Sequence, residues 1–373
     1  MIPQIDLTRQ HAALKAELLA AVERVLDSSR FVLGAEGEAL ERELAALCGA
    51  SYAVGVASGT DALRLALTAL GIGPGDEVIT PAFSFVASAS AILHVGARPV
   101  FADIDLDTFA LAPAEVERAM TPRSRAIVAV HLYGHPAEMD RLTAIARGRG
   151  LALLEDAAQA VGAAYAGRPV GAWGDAACLS FYPTKHLGAC GDAGMVVTDR
   201  ADVAERVRRL RHHGARERYH HAELGWCSRL DELQATLLRV KLRHLPGWIE
   251  ARRRLASRYA ALLGGLPLAL PVERPPARHV YQQYTVRFRA RDTLARALAE
   301  LGVETAVHYP LPLPAQPLFR EIVSSPEQAF PRACQASREV LSLPCYPELT
   351  DAETETVAKA VHQALADRVK CES

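Results

Sequence analysis

The chain has 373 residues, half of them hydrophobic, and a formal net charge of −1. That length accommodates two domains more readily than one, and the near-zero charge excludes a global field that recruits nucleic acid or an anionic membrane. The seven cysteines are odd in number and show no C-x-x-C spacing, which suits reduced thiols in a cytoplasm.

Residues 11–27 and 36–48 read as amphipathic helices, with Gly34 and Gly37 breaking the chain between them. Tyr52–Val56 is a short strand, and Ala57-Ser58-Gly59-Thr60-Asp61 opens a helix running through Leu70. A strand that passes through small residues into a helix N-terminus makes an anion cradle of free N–H groups. Simple capping by Ser58 or Thr60 is the alternative, and the two are compatible. Strands are expected over 77–81, 99–104, 126–132 and 151–156, alternating with helices over 84–95, 113–120 and 138–149. That alternation predicts an α/β domain with a mostly parallel sheet. The strand Leu151–Asp156 ends in two carboxylates, and ligands of open α/β sheets lie at such carboxyl ends. Asp156 is either a site residue there or a helix cap or ion-pair partner. Ala158, two residues on, lies on the same side of an extended chain.

A turn at 191–194 leads into a strand to Thr198, then helices over 201–213, 230–245 and 248–263. The Gly- and Pro-rich stretch 264–276 reads as a domain boundary or hinge. A strand over 282–289 and helices over 291–301 and 352–367 complete a small α+β domain. The division is expected as a large domain over 1–247 and a small one over 248–373. The arginine runs at 205–218 and 251–258 read as solvated helix faces or, alternatively, an anion site. His212-His213 and His220-His221 lack further ligands at a metal-binding spacing, so no metal is expected. Residues 1–10 carry charges without an apolar core, unlike a signal peptide, and no run approaches the ~18–20 apolar residues of a membrane span.

Lysine is scarce, occurring only at 15, 185, 241, 359 and 370. Lys185 sits in the aromatic, Gly-containing stretch Ser180-Phe181-Tyr182-Pro183-Thr184-Lys185-His186-Leu187-Gly188. Arginine keeps its proton, whereas a desolvated lysine loses it and becomes an amine nucleophile. A loop lysine capping nearby carbonyls is the alternative.

Six motifs stand in order: Ser58–Leu63, Gly75–Pro81, Glu155–Gln159, Ser180–Lys185, Ser228–Ala235 and Val307–Pro310. Together they resemble the DegT/DnrJ/EryC1/StrS family of pyridoxal-phosphate (PLP) sugar aminotransferases, from Asp6 to Leu343-Pro344. The resemblance implies the fold type I of aspartate aminotransferase and a cytoplasmic homodimer with shared active sites. It implies Lys185 as the Schiff-base lysine and Asp156 facing the pyridine nitrogen. It places Ala158 and Phe85 on the two ring faces, Gln159 at the ring hydroxyl, and Gly59, Thr60 and Ser180 at the phosphate. On the substrate side it implies Arg229, reaching the partner's site, with His308 and Tyr309.

The chain departs from the family in three places. Cys227 stands where many members carry Asn, Ala193 replaces a glycine, and no second histidine follows His308-Tyr309-Pro310. The stretches 281–287 and 308–317 are most similar to members that aminate C3 of a UDP-linked 2-acetamido-2-deoxy-3-keto-hexuronic acid with glutamate as donor, for bacterial surface polysaccharide. A dTDP-3-keto-6-deoxyhexose is the alternative substrate. A sugar dehydratase of the same fold would carry histidine in place of Lys185, and a non-enzymatic regulator would not need the cofactor set.

Overall fold

The computed structural model describes residues 1–371, with side chains through Ala366; the side chains of Lys370 and Cys371 lie outside that description. Its centre is a seven-stranded sheet. The strands are β1 (Tyr52–Val56), β2 (Glu77–Pro81), β3 (Arg98–Ala102), β4 (Ser124–Val130), β5 (Ala152–Asp156) and, after the two short strands β6 (Ala164–Tyr165) and β7 (Arg168–Pro169), β8 (Ala176–Ser180) and β9 (Gly194–Thr198). The spatial order is β1-β9-β8-β5-β4-β2-β3, and within it only β9 is reversed. Nearly every residue of β2, β4, β5, β8 and β9 is buried, as expected for strands covered on both faces.

Those faces are covered by helices. They are α1 (Leu7–Ser28), α2 (Ala35–Cys48), α3 (Gly59–Ala69), α4 (Ala87–His94), α5 (Pro113–Ala119), α6 (Met139–Arg149), α7 (Ala201–Leu210) and α8 (Glu232–Leu242). On α7 the buried residues Val203, Ala204, Val207 and Leu210 fall on one stripe of the helical period. The start of α2 has no cap in its own sequence. Glu232 of α8 supplies it, accepting from the N–H groups of Gly34, Glu36 and Gly37 at 2.9–3.0 Å. A Cβ on Gly34 or Gly37 would stand 2.7 Å from that carboxylate and would push it away from the helix start.

Beyond the hairpin β10 (Ala215–Glu217) and β11 (His220–His221), helix α9 (Leu245–Leu263) joins two cores. Leu245 and Ile249 pack with Leu40, Met195 and Leu238, whereas Leu255, Tyr259 and Leu263 pack in a second cluster. That cluster is built on α9, β13 (Tyr284–Arg287), α10 (Arg291–Glu300), β14 (Val340–Leu343) and α13 (Asp351–Cys371), after β12 (Ala277–Arg278) and the short helices α11 (Pro326–Ala329) and α12 (Pro331–Glu339). β13 and β14 pair antiparallel, Tyr284 opposite Leu343. The chain's first residues also reach this cluster: Ile2 and Ile5 pack on it, and Arg9 pairs with Glu353 at 2.6 Å.

The elements differ from the sequence expectations in several places. α1 begins at Leu7, because Asp6 accepts the Thr8 N–H at 2.9 Å and caps it. β8 is a central strand that its composition, Ala-Ala-Cys-Leu-Ser, does not announce; pairing with β5 and β9 makes it one. β13 is confined to 284–287, and the chain after Asp156 turns instead of continuing extended.

The fold buries neutral imidazoles between the two cores. His186 Nε2 donates to Val280 O over 3.0 Å, and His279 stacks on Tyr281 with ring centroids 3.9 Å apart. Burial, with Arg252 beside His186 and His135 beside His279, holds both well below the usual imidazole pKa. The unfolded chain therefore binds more protons below about pH 6.5, and stability falls as pH drops through that value. By pH 5.5 each of the two histidines is expected to cost roughly 1 kcal/mol. Urea midpoints at pH 7.5 and pH 5.5 check this; equal midpoints would show that these groups do not titrate between the two states.

Candidate active site

The loops that follow β5 and β8 lie side by side at the carboxyl edge of the sheet, since the two strands are parallel neighbours with Asp156 opposite Cys178. Asp156 is 6% exposed. Its Oδ2 accepts from Ser88 Oγ at 2.7 Å, and Ser88 in turn meets Ser84 Oγ at 2.9 Å. Its Oδ1 accepts the N–H of Ala158 at 3.2 Å, so Ala158 turns back over the carboxylate. The neighbouring Glu155 points the other way and is structural. It is fully buried, receives the N–H groups of Gly171, Trp173 and Gly174, and meets His131 Nε2 at 3.2 Å. Burial alone would raise its pKa, but His131 and those N–H groups hold it below the usual range. The two carboxylates that end the strand are thus separated by the β alternation into a frame group and a site group.

Lys185 stands in the loop after β8. Burial lowers its pKa to about 8, with the charge of Asp156 pulling in the opposite direction. Among the described residues its Nζ has no hydrogen-bond partner, while its backbone N–H donates to Tyr182 O at 2.8 Å. The loop is held at several points. Lys241, itself fully buried, donates from Nζ to Gly188 O at 2.7 Å and to His11 Nε2 at 3.0 Å. Gln282 bonds the backbone on both sides of Lys185, at Thr184 O and His186 N, each at 2.8 Å.

Aromatic and amide groups form the wall opposite. Gln159 accepts the Tyr133 N–H at 2.6 Å and donates to the Tyr309 hydroxyl at 3.3 Å. The Tyr309 ring lies 5.8 Å from Phe85, which is 52% exposed and so keeps a free face, and 6.4 Å from Phe83. Burial and the charge of Asp156 raise the Tyr309 phenol. His308 faces Ser342 Oγ at 2.9 Å, and its carbonyl accepts from the Tyr133 hydroxyl. Burial, with Lys185 adding, lowers the His308 pKa to about 4, so it is neutral at pH 7.

The α3 N-terminus flanks this arrangement. Ser58 caps it, accepting from Asp61 N–H at 3.1 Å. The N–H groups of Gly59 and Thr60 keep no acceptor among the described residues. A Cβ on Gly59 would stand 2.6 Å from Ser180 Cβ, and one on Gly194 would stand 2.3 Å from the Ser58 carbonyl. Two strand ends and a helix start thus converge with no room for side chains, leaving backbone donors and the Ser180 hydroxyl. That donor set and the unpartnered amine of Lys185 fit a phosphorylated aldehyde.

The structure brings Lys185, Asp156, Ala158, Gln159, Phe85, His308 and Tyr309 together, with Gly59, Thr60 and Ser180 alongside. Arg229 is held elsewhere in the chain. Its Nη1 donates to His212 Nδ1 at 3.1 Å and its Nη2 to Cys227 Sγ at 3.0 Å, and among the described residues it has no carboxylate partner. Burial and the Arg229 charge lower the His212 pKa, consistent with an accepting imidazole. The sequence reading missed Ser88, Tyr133, Lys241 and Gln282. Only Lys241 carried a signal, as one of the few lysines. Among the described residues no His, Cys, Asp and Glu group of three or more could hold a metal, and no helix is long and apolar enough to cross a membrane.

The DegT/DnrJ/EryC1/StrS aminotransferase family matches the chain over residues 12–362. The chain is 46% identical to a UDP-N-acetyl-3-dehydro-alpha-D-glucosamine 3-aminotransferase of Acidithiobacillus ferrooxidans, covering 98% of each. It is 47% identical to a dTDP-3-amino-3,4,6-trideoxy-alpha-D-glucose transaminase of Streptomyces venezuelae, covering 99% of this chain and 97% of that protein. It is 41% identical to a UDP-2-acetamido-2-deoxy-3-oxo-D-glucuronate aminotransferase of Pseudomonas aeruginosa, over 97% and 99%. The crystal structure of S. venezuelae DesV superposes with a TM-score of 0.95 at 47% identity, over 97% of this chain and 98% of that one.

The low pKa of Lys185 has a direct readout. In cofactor-free protein, labelling of Lys185 by an amine reagent, followed by peptide mass spectrometry, is expected to reach half its maximum near pH 8, against about 10.4 for a free lysine. Asp156→Asn removes the charge that favours the ammonium form, so the midpoint should move lower still. An upward move, or a wild-type midpoint near 10, would contradict the burial of this amine against that carboxylate.

Proposed function

This chain belongs to the DegT/DnrJ/EryC1/StrS aminotransferase family, and from that premise we propose that Lys185 is its reacting amine and that the acceptor is the C3 ketone of a nucleotide-linked sugar. A sugar aminotransferase of this family works with PLP, which when bound supplies an electron sink conjugated to the substrate carbon. The observation that carries the reading is the pairing of an amine whose pKa is near 8 with a buried carboxylate at the same sheet edge.

The chain's own residues divide the work. Lys185 Nζ, neutral in a large fraction near pH 8, accepts and returns a proton beside the substrate. Asp156, held by Ser88 and by the Ala158 N–H, is the carboxylate that would keep the pyridine nitrogen protonated. Gly59 and Thr60 N–H groups with Ser180 would take the phosphate, and Phe85 and Ala158 would wall the ring. Gln159 has both ends of its amide occupied by Tyr133 and Tyr309, so it would meet the ring hydroxyl through that fixed orientation. Neutral His308 and the Tyr309 hydroxyl would face the sugar.

The three relatives carry names with an amino or oxo group at C3, on UDP or dTDP, which supports position 3. Within that class we take a UDP-linked 2-acetamido-3-keto-hexuronate as the substrate, with glutamate as amino donor. Arg229, with no carboxylate partner of its own, would grip the sugar acid across a homodimer. A charged hydrogen bond of this kind contributes roughly 1.5–3 kcal/mol, so the 6-deoxy counterpart should lose about 10- to 150-fold in kcat/KM. Arg229→Lys should narrow the gap, because an ammonium lacks the fork. Side-by-side assays of the 3-keto-uronate and the 3-keto-6-deoxyhexose decide it. Equal or better turnover of the 6-deoxy sugar would replace the uronate with the dTDP-linked substrate. In every assay Lys185→Ala should abolish amino transfer.

Sharing of the site between subunits has its own test. Mixing inactive Lys185→Ala with weakened Arg229→Ala protein should raise the activity above that of either variant alone, because each hybrid dimer holds one intact site. No recovery after confirmed subunit exchange would place Arg229 outside the partner's site.

A further inference from the structure

The Gln282 side chain closes a fork on the backbone at either side of Lys185. Its Oε1 accepts the His186 N–H at 2.8 Å and its Nε2 donates to the Thr184 carbonyl at 2.8 Å. Gln282 is 5% exposed and its bond to the His186 N–H is buried, so losing the fork leaves that backbone donor unpaired out of water. The fork is itself anchored. The Gln282 N–H donates to Tyr133 O at 2.8 Å, and its carbonyl accepts from Arg252 Nη1 at 3.2 Å. Arg252 is 3% exposed and spends the same nitrogen on the carbonyls of Tyr281 and Cys345. Tyr133 also donates its N–H to Gln159, whose amide reaches Tyr309.

The lysine itself has no such hold. Among the described residues its Nζ has no hydrogen-bond partner, so no hydrogen bond at the tip of its flexible four-carbon stem sets its direction. The aim of the amine comes from the two peptides that flank it, and these are what Gln282 fixes. We propose that Gln282 is a positioning residue that orients Lys185 for attack on the cofactor aldehyde. The inference rests on Lys185 being the reacting amine. In that attack the lysine nitrogen bonds to the aldehyde carbon of PLP, and the carbonyl oxygen leaves as water with the two amine hydrogens. A misplacement of about 1 Å in such a step costs on the order of a hundredfold in rate.

The test uses cofactor-free protein and two ligands. PLP reports condensation with the lysine by its absorbance change in stopped flow. Pyridoxamine phosphate has no aldehyde, so its affinity reports the pocket alone. Gln282→Leu is expected to slow condensation at least tenfold while the affinity for pyridoxamine phosphate stays within threefold. Gln282→Glu is isosteric, keeps the acceptor for His186 and turns an oxygen onto the Thr184 carbonyl. It is expected to slow condensation in the same direction, and it carries the test if the leucine variant does not fold. Unchanged condensation in a folded variant, or equal loss of condensation and pyridoxamine phosphate affinity, would overturn the proposal. Lys185→Ala separates the two levels. If it still condenses with PLP, the reading of Lys185 fails; if it is inert and the Gln282 variants match wild type, only the positioning role fails.

Discussion

The half-buried Lys185 amine, within reach of the Asp156 charge, sets the terms for the structure around it. Partly removed from water, the ammonium is disfavoured and the pKa falls toward 8. The carboxylate keeps it from falling further and is itself fixed by Ser88 and the Ala158 N–H. The fold produces this juxtaposition with parallel strands. β5 and β8 are adjacent and parallel, so both deliver their following loops to one edge of the sheet.

Holding the amine in place requires the loop's buried backbone polar groups to be satisfied. This chain does so with long side chains from distant elements. Gln282 comes from the segment before β13, and Lys241 from α8. Tyr133, after β4, receives Gln282 at its carbonyl and gives its N–H to Gln159. Arg252 on α9 grips carbonyls of residues 281, 282 and 345. The α9 helix packs into both cores, so the second cluster is wired to the lysine loop through buried hydrogen bonds as well as through apolar contact.

Much of this was legible in the residues because it rests on local chemistry. The alternation of apolar runs and helices announces the sheet, Ser58-Gly59-Thr60 announces a helix start with free donors, and Glu155-Asp156 announces a carboxyl-end acid. Which of the two acids belongs to the site follows from strand alternation once the strand is seen to end at Asp156. β8 was hidden because its small residues carry no strand signal and only its neighbours make it a strand. Gln282, Ser88 and Tyr133 were hidden because their roles are long-range, with partners 68 to 98 positions away for Ser88 and Gln282. Arg229 was legible as an unusual loop guanidinium, yet among the described residues its guanidinium hydrogen-bonds only to His212 and Cys227.

The claim on which everything else depends is that Lys185 is the residue that joins the cofactor. Borohydride reduction of PLP-loaded protein, followed by proteolysis and mass spectrometry, reads this directly. The account requires one phosphopyridoxyl adduct, on the peptide carrying Lys185. An adduct on Lys241, the buried lysine that holds this loop, or no adduct in protein that transfers amino groups, would contradict it.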